Sequence, residues 1–162
     1  MLAAGATALA AESWVTDPAT GGKIGWVSDT STLVAAQWTG PLADGKAEGK
    51  GSLSVTIRGQ DGKELKGTAD ADMKAGKLDG IVSIKWADGD TFDGFCKAGL
   101  REGRGVYKAA GGMSYDGEWK AGKCEGKGVL RLPNGLHYEG DFKNGKKDGQ
   151  GREKYADGSS YE

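Results

Sequence analysis

Phe92-Asp93-Gly94-Phe95-Cys96, Tyr115-Asp116-Gly117-Glu118-Trp119, Tyr138-Glu139-Gly140-Asp141-Phe142 and Tyr161-Glu162 stand in one register along the chain. The leading aromatic falls at 92, 115, 138 and 161, a period of 23. Further glycines keep the frame: Gly99, Gly103, Gly105 and Gly112 recur as Gly122, Gly126, Gly128 and Gly135, then as Gly145, Gly149, Gly151 and Gly158. A fixed period of this length marks a repeat architecture, in which each unit buries its apolar face against its neighbours.

Strand alternation puts Tyr115, Gly117 and Trp119 on one face and Asp116, Glu118 and Lys120 on the other. That is the pattern of a half-buried antiparallel strand. A glycine between two aromatics lacks Cβ and leaves a floor on which a ring can lie. A second strand follows, with Gly126, Gly128, Leu130 and Leu132 expected on one face. Asn134-Gly135, Asp88-Gly89 and Asp157-Gly158 then predict two-residue hairpin turns with positive φ. Each unit is therefore one hairpin, and successive hairpins pair side by side.

This frame resembles the MORN repeat family, whose pattern is Tyr-x-Gly-x-(Trp/Phe) followed by glycines at fixed offsets. Residues 115–137 and 138–160 carry it almost in full, and 92–114 carry it with Phe92 and Cys96 in the aromatic places. The repeat-defining residues are Phe92, Gly94, Tyr115, Gly117, Trp119, Tyr138, Gly140, Phe142 and Tyr161. The resemblance implies an all-β fold, an elongated twisted antiparallel sheet of stacked β-hairpins. Upstream, 38–68 (from Trp38, with Gly40, Gly45, Gly49 and Gly51) and 69–91 (from Ala69) read as degenerate repeats. The lost rings of the second leave that rung loosely packed or covered by something else. The repeat domain spans 14–162, opening on an irregular lead-in from Glu12 to Gly22.

Residues 1–13 form an Ala-rich segment, and Met1–Ala11 contain Ala8-Leu9-Ala10, a small-x-small pattern. It reads either as the tail of a secretory signal or as a frayed helix on a soluble protein. The first places the chain in the periplasm or otherwise outside the cytoplasm; the second leaves it in the cytoplasm. About eleven apolar residues are too few to span a bilayer. The net charge of −1 gives no general attraction to nucleic acid.

No arrangement of residues points to catalysis, a metal or a cofactor. The single histidine, His137, precedes a repeat Tyr and reads as a surface-side strand residue. The carboxylates alternate with core positions and read as a solvated face. The Gly-x-Gly pairs recur with the period and are followed by no helix, unlike phosphate loops. Cys96 takes an inward position and Cys124 a loop of the next repeat; in an exported protein the two are a candidate disulfide, and otherwise a core residue and a free surface thiol. Tyr161 and Glu162 at an unpaired last strand, with Trp14 and Trp26 near the start, are the candidate interaction edge. The expected role is a non-catalytic scaffold or accessory subunit with protein partners in a larger complex. The alternative, also implied by the resemblance, is a phospholipid-binding module at a membrane surface, for which Lys143, Lys146 and Lys147 offer a weak basic cluster.

Overall fold

The computed structural model describes residues 11–28 and 30–162. Its strands in chain order are β1 (Ala11–Thr16), β2 (Lys23–Ser28), β3 (Ser31–Trp38), β4 (Leu42–Ala43), β5 (Lys46–Ala47), β6 (Gly49–Gly59), β7 (Glu64–Lys74) and β8 (Lys77–Trp86). There follow β9 (Thr91–Lys97), β10 (Leu100–Lys108), β11 (Ser114–Lys120), β12 (Lys123–Arg131), β13 (His137–Lys143), β14 (Lys146–Lys154) and β15 (Ser160–Tyr161). Among the described residues they form an 11-stranded antiparallel sheet, ordered β15 to β6 in unbroken sequence and then β3, and a 4-stranded sheet ordered β1-β2-β5-β4. The expected hairpin array is present. The second sheet was not expected, and its β2–β5 pairing is parallel.

Each rung starts at one of Trp38, Ala69, Phe92, Tyr115 and Tyr138 and is a hairpin closed by a two-residue turn. Asp44-Gly45, Ala75-Gly76, Ala98-Gly99, Ala121-Gly122 and Asn144-Gly145 all have both residues at positive φ, as a type I′ turn requires. These turns lie at the end of the sheet opposite to the expected one. At Leu132–Leu136 only Gly135 has positive φ, the Gly135 amide donates to the Leu132 carbonyl, and the Leu132 amide to the Leu136 carbonyl. The Asn-Gly and Asp-Gly sites therefore close wider loops, with glycine alone carrying the left-handed conformation.

Register shifts at Ala71/Met73, Glu102/Gly105, Gly117/Glu118 and Gly140/Phe142 add one bulge to each of the last four hairpins. A bulge bends its strand and increases the twist. It also reverses the expected side of Gly126: a Cβ there would meet the Glu118 carboxylate on the polar face, whereas Gly128 stays beneath Tyr115.

The lead-in is not irregular. Ala11–Ser13, counted with the Ala-rich segment, belong to β1, which pairs with β2 from Ala11↔Ser28 to Thr16↔Lys23. Residues 1–10, which hold the expected signal cleavage pattern, lie outside the described residues. The small sheet packs over the first rungs: the Gly25 amide donates to the Gly76 carbonyl, the Gly76 amide to the Ala47 carbonyl, and the Ser13 hydroxyl accepts from the Leu33 amide. Asp17 anchors it, with carboxylate oxygens accepting from the Ala19 and Trp38 amides and the Thr20 hydroxyl. Ile24 is 1% exposed in the same core as Ala69 and Ala71. The ringless rung is thus covered, and its alanines leave room for the cover.

Candidate functional site

From Phe92 onward the inner face is a ladder of rings. Phe92 meets Trp119, Trp119 meets Tyr115, Tyr115 meets Phe142 and Phe142 meets Tyr138, all edge to face with centroids 5.0–5.5 Å apart. That geometry suits the ring quadrupole. The floor beneath is glycine: a Cβ on Gly117 would lie 2.5 Å from the Tyr115 hydroxyl and 2.6 Å from Gly128 Cα. The Tyr115 and Tyr138 hydroxyls donate to the Glu118 and Asp141 carbonyls, and Trp119 Nε1 to the Gly105 carbonyl. The five rings are buried by one another, so they form a core and not a binding patch.

The carboxylates do more than face solvent. Asp72, Glu118 and Asp141 accept from the amides of Ile81, Lys127 and Gln150 at the bulges. A second column joins rung to rung: Glu48, Asp79, Glu102 and Glu125 accept from the amides of Ala75, Ala98, Ala121 and Asn144 in the next turn. Beside each, a turn glycine (Gly76, Gly99, Gly122, Gly145) donates to the carbonyl of Ala47, Leu78, Arg101 or Cys124. This acid column repeats in the sequence at 48, 79, 102, 125 and 148. Its signal was hidden because acids are ordinary on a polar strand face.

Where the two layers meet, a groove of about 750 Å³ opens, lined by Trp26, Ile84, Trp86, Asp90, Arg101 and Tyr107 among others. Trp26 stands edge-on to Trp86 at 5.7 Å. The Arg101 guanidinium lies over Phe92, Trp119 and Tyr107 at 4.7, 4.8 and 5.1 Å from their centroids. Burial lowers its pKa against the pull of the neighbouring thiols, Tyr107 and Asp90. The Tyr107 hydroxyl donates to Asp90, and burial with that bond pushes Tyr107 up to about 12.

The outer face carries one exception to its charge pattern. Opposed cross-strand residues there are Lys50 with Asp72, Arg104 with Glu118 and Lys127 with Asp141. The same register position between β8 and β9 pairs Ile81 with Phe95, 72% and 40% exposed.

The residues singled out from sequence scatter across these features. Cys124 is not in a loop; it sits in β12 opposite Trp119. Cys96 is in β9, with β10 and β11 between the two, a separation of about 14 Å at ordinary strand spacing. A disulfide needs Cα atoms within about 7 Å, and both thiols are free. Burial pushes Cys96 up to about 12 despite Arg101 nearby, and it raises Cys124 as well. Trp26 is on an interior strand and walls the groove instead of marking an edge. Trp14 lies on the edge strand β1, with Lys46 and Lys77 over its ring. Tyr161 is 72% exposed on the edge strand β15, and Glu162 pairs with Arg152. His137 is not surface-side throughout: its Nε2 is buried without a hydrogen-bond partner. In the basic cluster, Lys147 turns inward over Tyr138 and pairs with Glu153. Sequence reading missed Arg101, Ile81 and Phe95; each is a departure from its own column in the 23-residue frame.

The family model for the MORN repeat matches residues 92–114, 115–137 and 138–160. No curated protein matches the chain.

Proposed function

We propose, from the premise that residues 92–160 are three MORN repeats, that this protein is a non-catalytic scaffold or accessory subunit that binds another protein. MORN repeats are in general protein- or membrane-interaction modules, and they are not a known enzyme family. The observation that carries the protein-binding reading is the Ile81–Phe95 pair. An apolar pair exposed at a position that other rungs fill with a cation and an acid is a natural anchor for a partner surface.

Asp72 binds the Ile81 amide, and Glu102 is the cross-strand partner of Phe95. These carboxylates disfavour an anionic membrane at the patch. The inward turn of Lys147 weakens the basic cluster on which the lipid reading depends. An extracytoplasmic location belongs to the same proposal and rests on the Ala-rich start.

The test is the native mass of the protein in extracts of its source, as wild type and as Ile81→Lys/Phe95→Glu. The double variant restores the charge pattern of the neighbouring rungs. The wild type is expected in an assembly well above its 16.8 kDa chain mass, and the variant is expected to leave it. A wild type running at its own chain mass, or a variant still in the assembly, removes this reading. Co-sedimentation of the wild type with anionic vesicles at low salt would move the lipid module ahead.

A further inference from the structure

Arg101 occupies the place that Lys147 takes two rungs later, and Tyr107 the place that Glu153 takes. In the later rung, the lysine lies over a repeat ring, Tyr138, and the acid supplies its counter-ion. In the earlier rung, the arginine lies over Phe92, Trp119 and Tyr107, and no acid stands where Glu153 would be. Arg101 makes no ion pair among the described residues. The nearby Asp90 is already engaged, by the Tyr107 hydroxyl on one oxygen and the Ala110 amide on the other. A half-buried guanidinium held by rings alone retains its forked donors for an outside acceptor.

The groove that Arg101 lines is walled by Trp26, Ile84 and Trp86 and holds about 750 Å³, within the usual range for small-ligand sites. We propose that this groove binds a small monocarboxylic acid with an apolar body, its carboxylate on Arg101 in the role Glu153 plays for Lys147, its body between Trp26, Ile84 and Trp86. A planar carboxylate matches the guanidinium fork. Asp88, Asp90 and Glu125 also line the groove and offset Lys120 and Lys123, which leaves no surplus of positive charge for a more highly charged anion such as phosphate. This inference stands apart from the scaffold reading, because the groove lies on the inner face and the Ile81–Phe95 pair on the outer one.

The test is calorimetric titration of the full chain with 3-phenylpropionate, with 3-phenylpropan-1-ol and with inorganic phosphate. The carboxylate is expected to bind saturably, and the other two at least about tenfold more weakly. Arg101→Leu installs the residue found at the same place one rung earlier, Leu78, so the rung has a local precedent for folding. It is expected to weaken 3-phenylpropionate by about tenfold or more while keeping a cooperative unfolding transition. Tyr107→Glu, which supplies the missing internal counter-ion, is expected to weaken it similarly. The proposal is overturned if the wild type shows no saturable binding of 3-phenylpropionate up to tens of millimolar. Equal affinity for the alcohol or for phosphate, or undiminished affinity in a folded Arg101→Leu protein, overturns it equally.

Discussion

The rungs that open on Trp38 and Ala69 and the rungs that open on Phe92, Tyr115 and Tyr138 share one backbone and bury it in two ways. Both have type I′ turns, and from the Ala69 rung onward acid and glycine bonds tie each turn to the rung before. The later rungs fill their inner face with interlocked rings over glycine. The earlier ones have one ring, Trp38 over Gly40 and Gly51, with aliphatic residues and alanines, all under a second sheet anchored by Asp17. The hairpin frame therefore does not depend on the aromatic ladder. What the ladder provides is burial within a single layer, and a second layer can replace it. The groove lies where one solution gives way to the other.

If the halves are buried independently, damage should stay local. Trp119→Ala removes a ring that touches Phe92 and Tyr115 and donates to the Gly105 carbonyl. A loss of about 3–5 kcal/mol is expected by urea unfolding. Hydrogen exchange should rise across β9–β14 and leave β1–β2 protected. Equal loss of protection in β1–β2 would mean that the two halves form one cooperative unit.

The converse change is Asp17→Asn. Asp17 is 1% exposed; burial raises its pKa, but the Trp38 and Ala19 amides and the Thr20 hydroxyl outweigh this and hold it below 3.8. A depressed folded pKa stabilises above the unfolded value and is lost as pH falls through the folded one. The second sheet should therefore loosen as pH drops below 3.8, while the ring ladder holds. Asn keeps an acceptor for one amide, so a cost of about 1–3 kcal/mol is expected, with the acid sensitivity of the Trp38 amide abolished. Exchange of the Trp38 amide against pH checks both.

A third change exploits the floor. Gly117→Ala places a Cβ against Tyr115 and Gly128, and about 1–3 kcal/mol of destabilisation is expected. The equivalent residue in the covered rung is already alanine, Ala71, 6% exposed with Val82 opposite. Ala71→Gly should cost only about 0.5–1 kcal/mol, through backbone entropy. Comparable penalties at the two sites would deny that the glycine floor serves the rings.

These contrasts also explain what the sequence made legible. Repetition exposed the hairpins, the ring faces and the degenerate rungs, because the same local demand recurs every 23 residues. It failed where one residue changes the parity of a strand, as at the bulge that turns Gly126 outward. It failed again where a partner is remote: Asp17 acts on an amide 21 residues later, so Ala11–Thr16 carried no local sign of pairing. The groove was illegible because it is made by two layers whose meeting no single strand encodes.

The smallest effect tests what both halves share. Glu125 accepts from the Asn144 amide in the ladder, and Glu48 from the Ala75 amide in the covered region, at 2.9 and 2.8 Å. Replacing either with alanine leaves one turn amide without its acceptor, while the adjacent glycine bond stays. Both amides are near solvent, so water can substitute and global stability should hardly move. Local opening should be easier, with exchange at Asn144 or Ala75 about threefold to tenfold faster. The decisive result is the ratio between the two sites. Equal acceleration means that the turn clamp works alike under rings and under a second sheet, as a frame property independent of burial. A much larger change at Asn144 would mean that the single-layer rungs lean on their clamps for what the covered rungs obtain from Ile24 and Asp17.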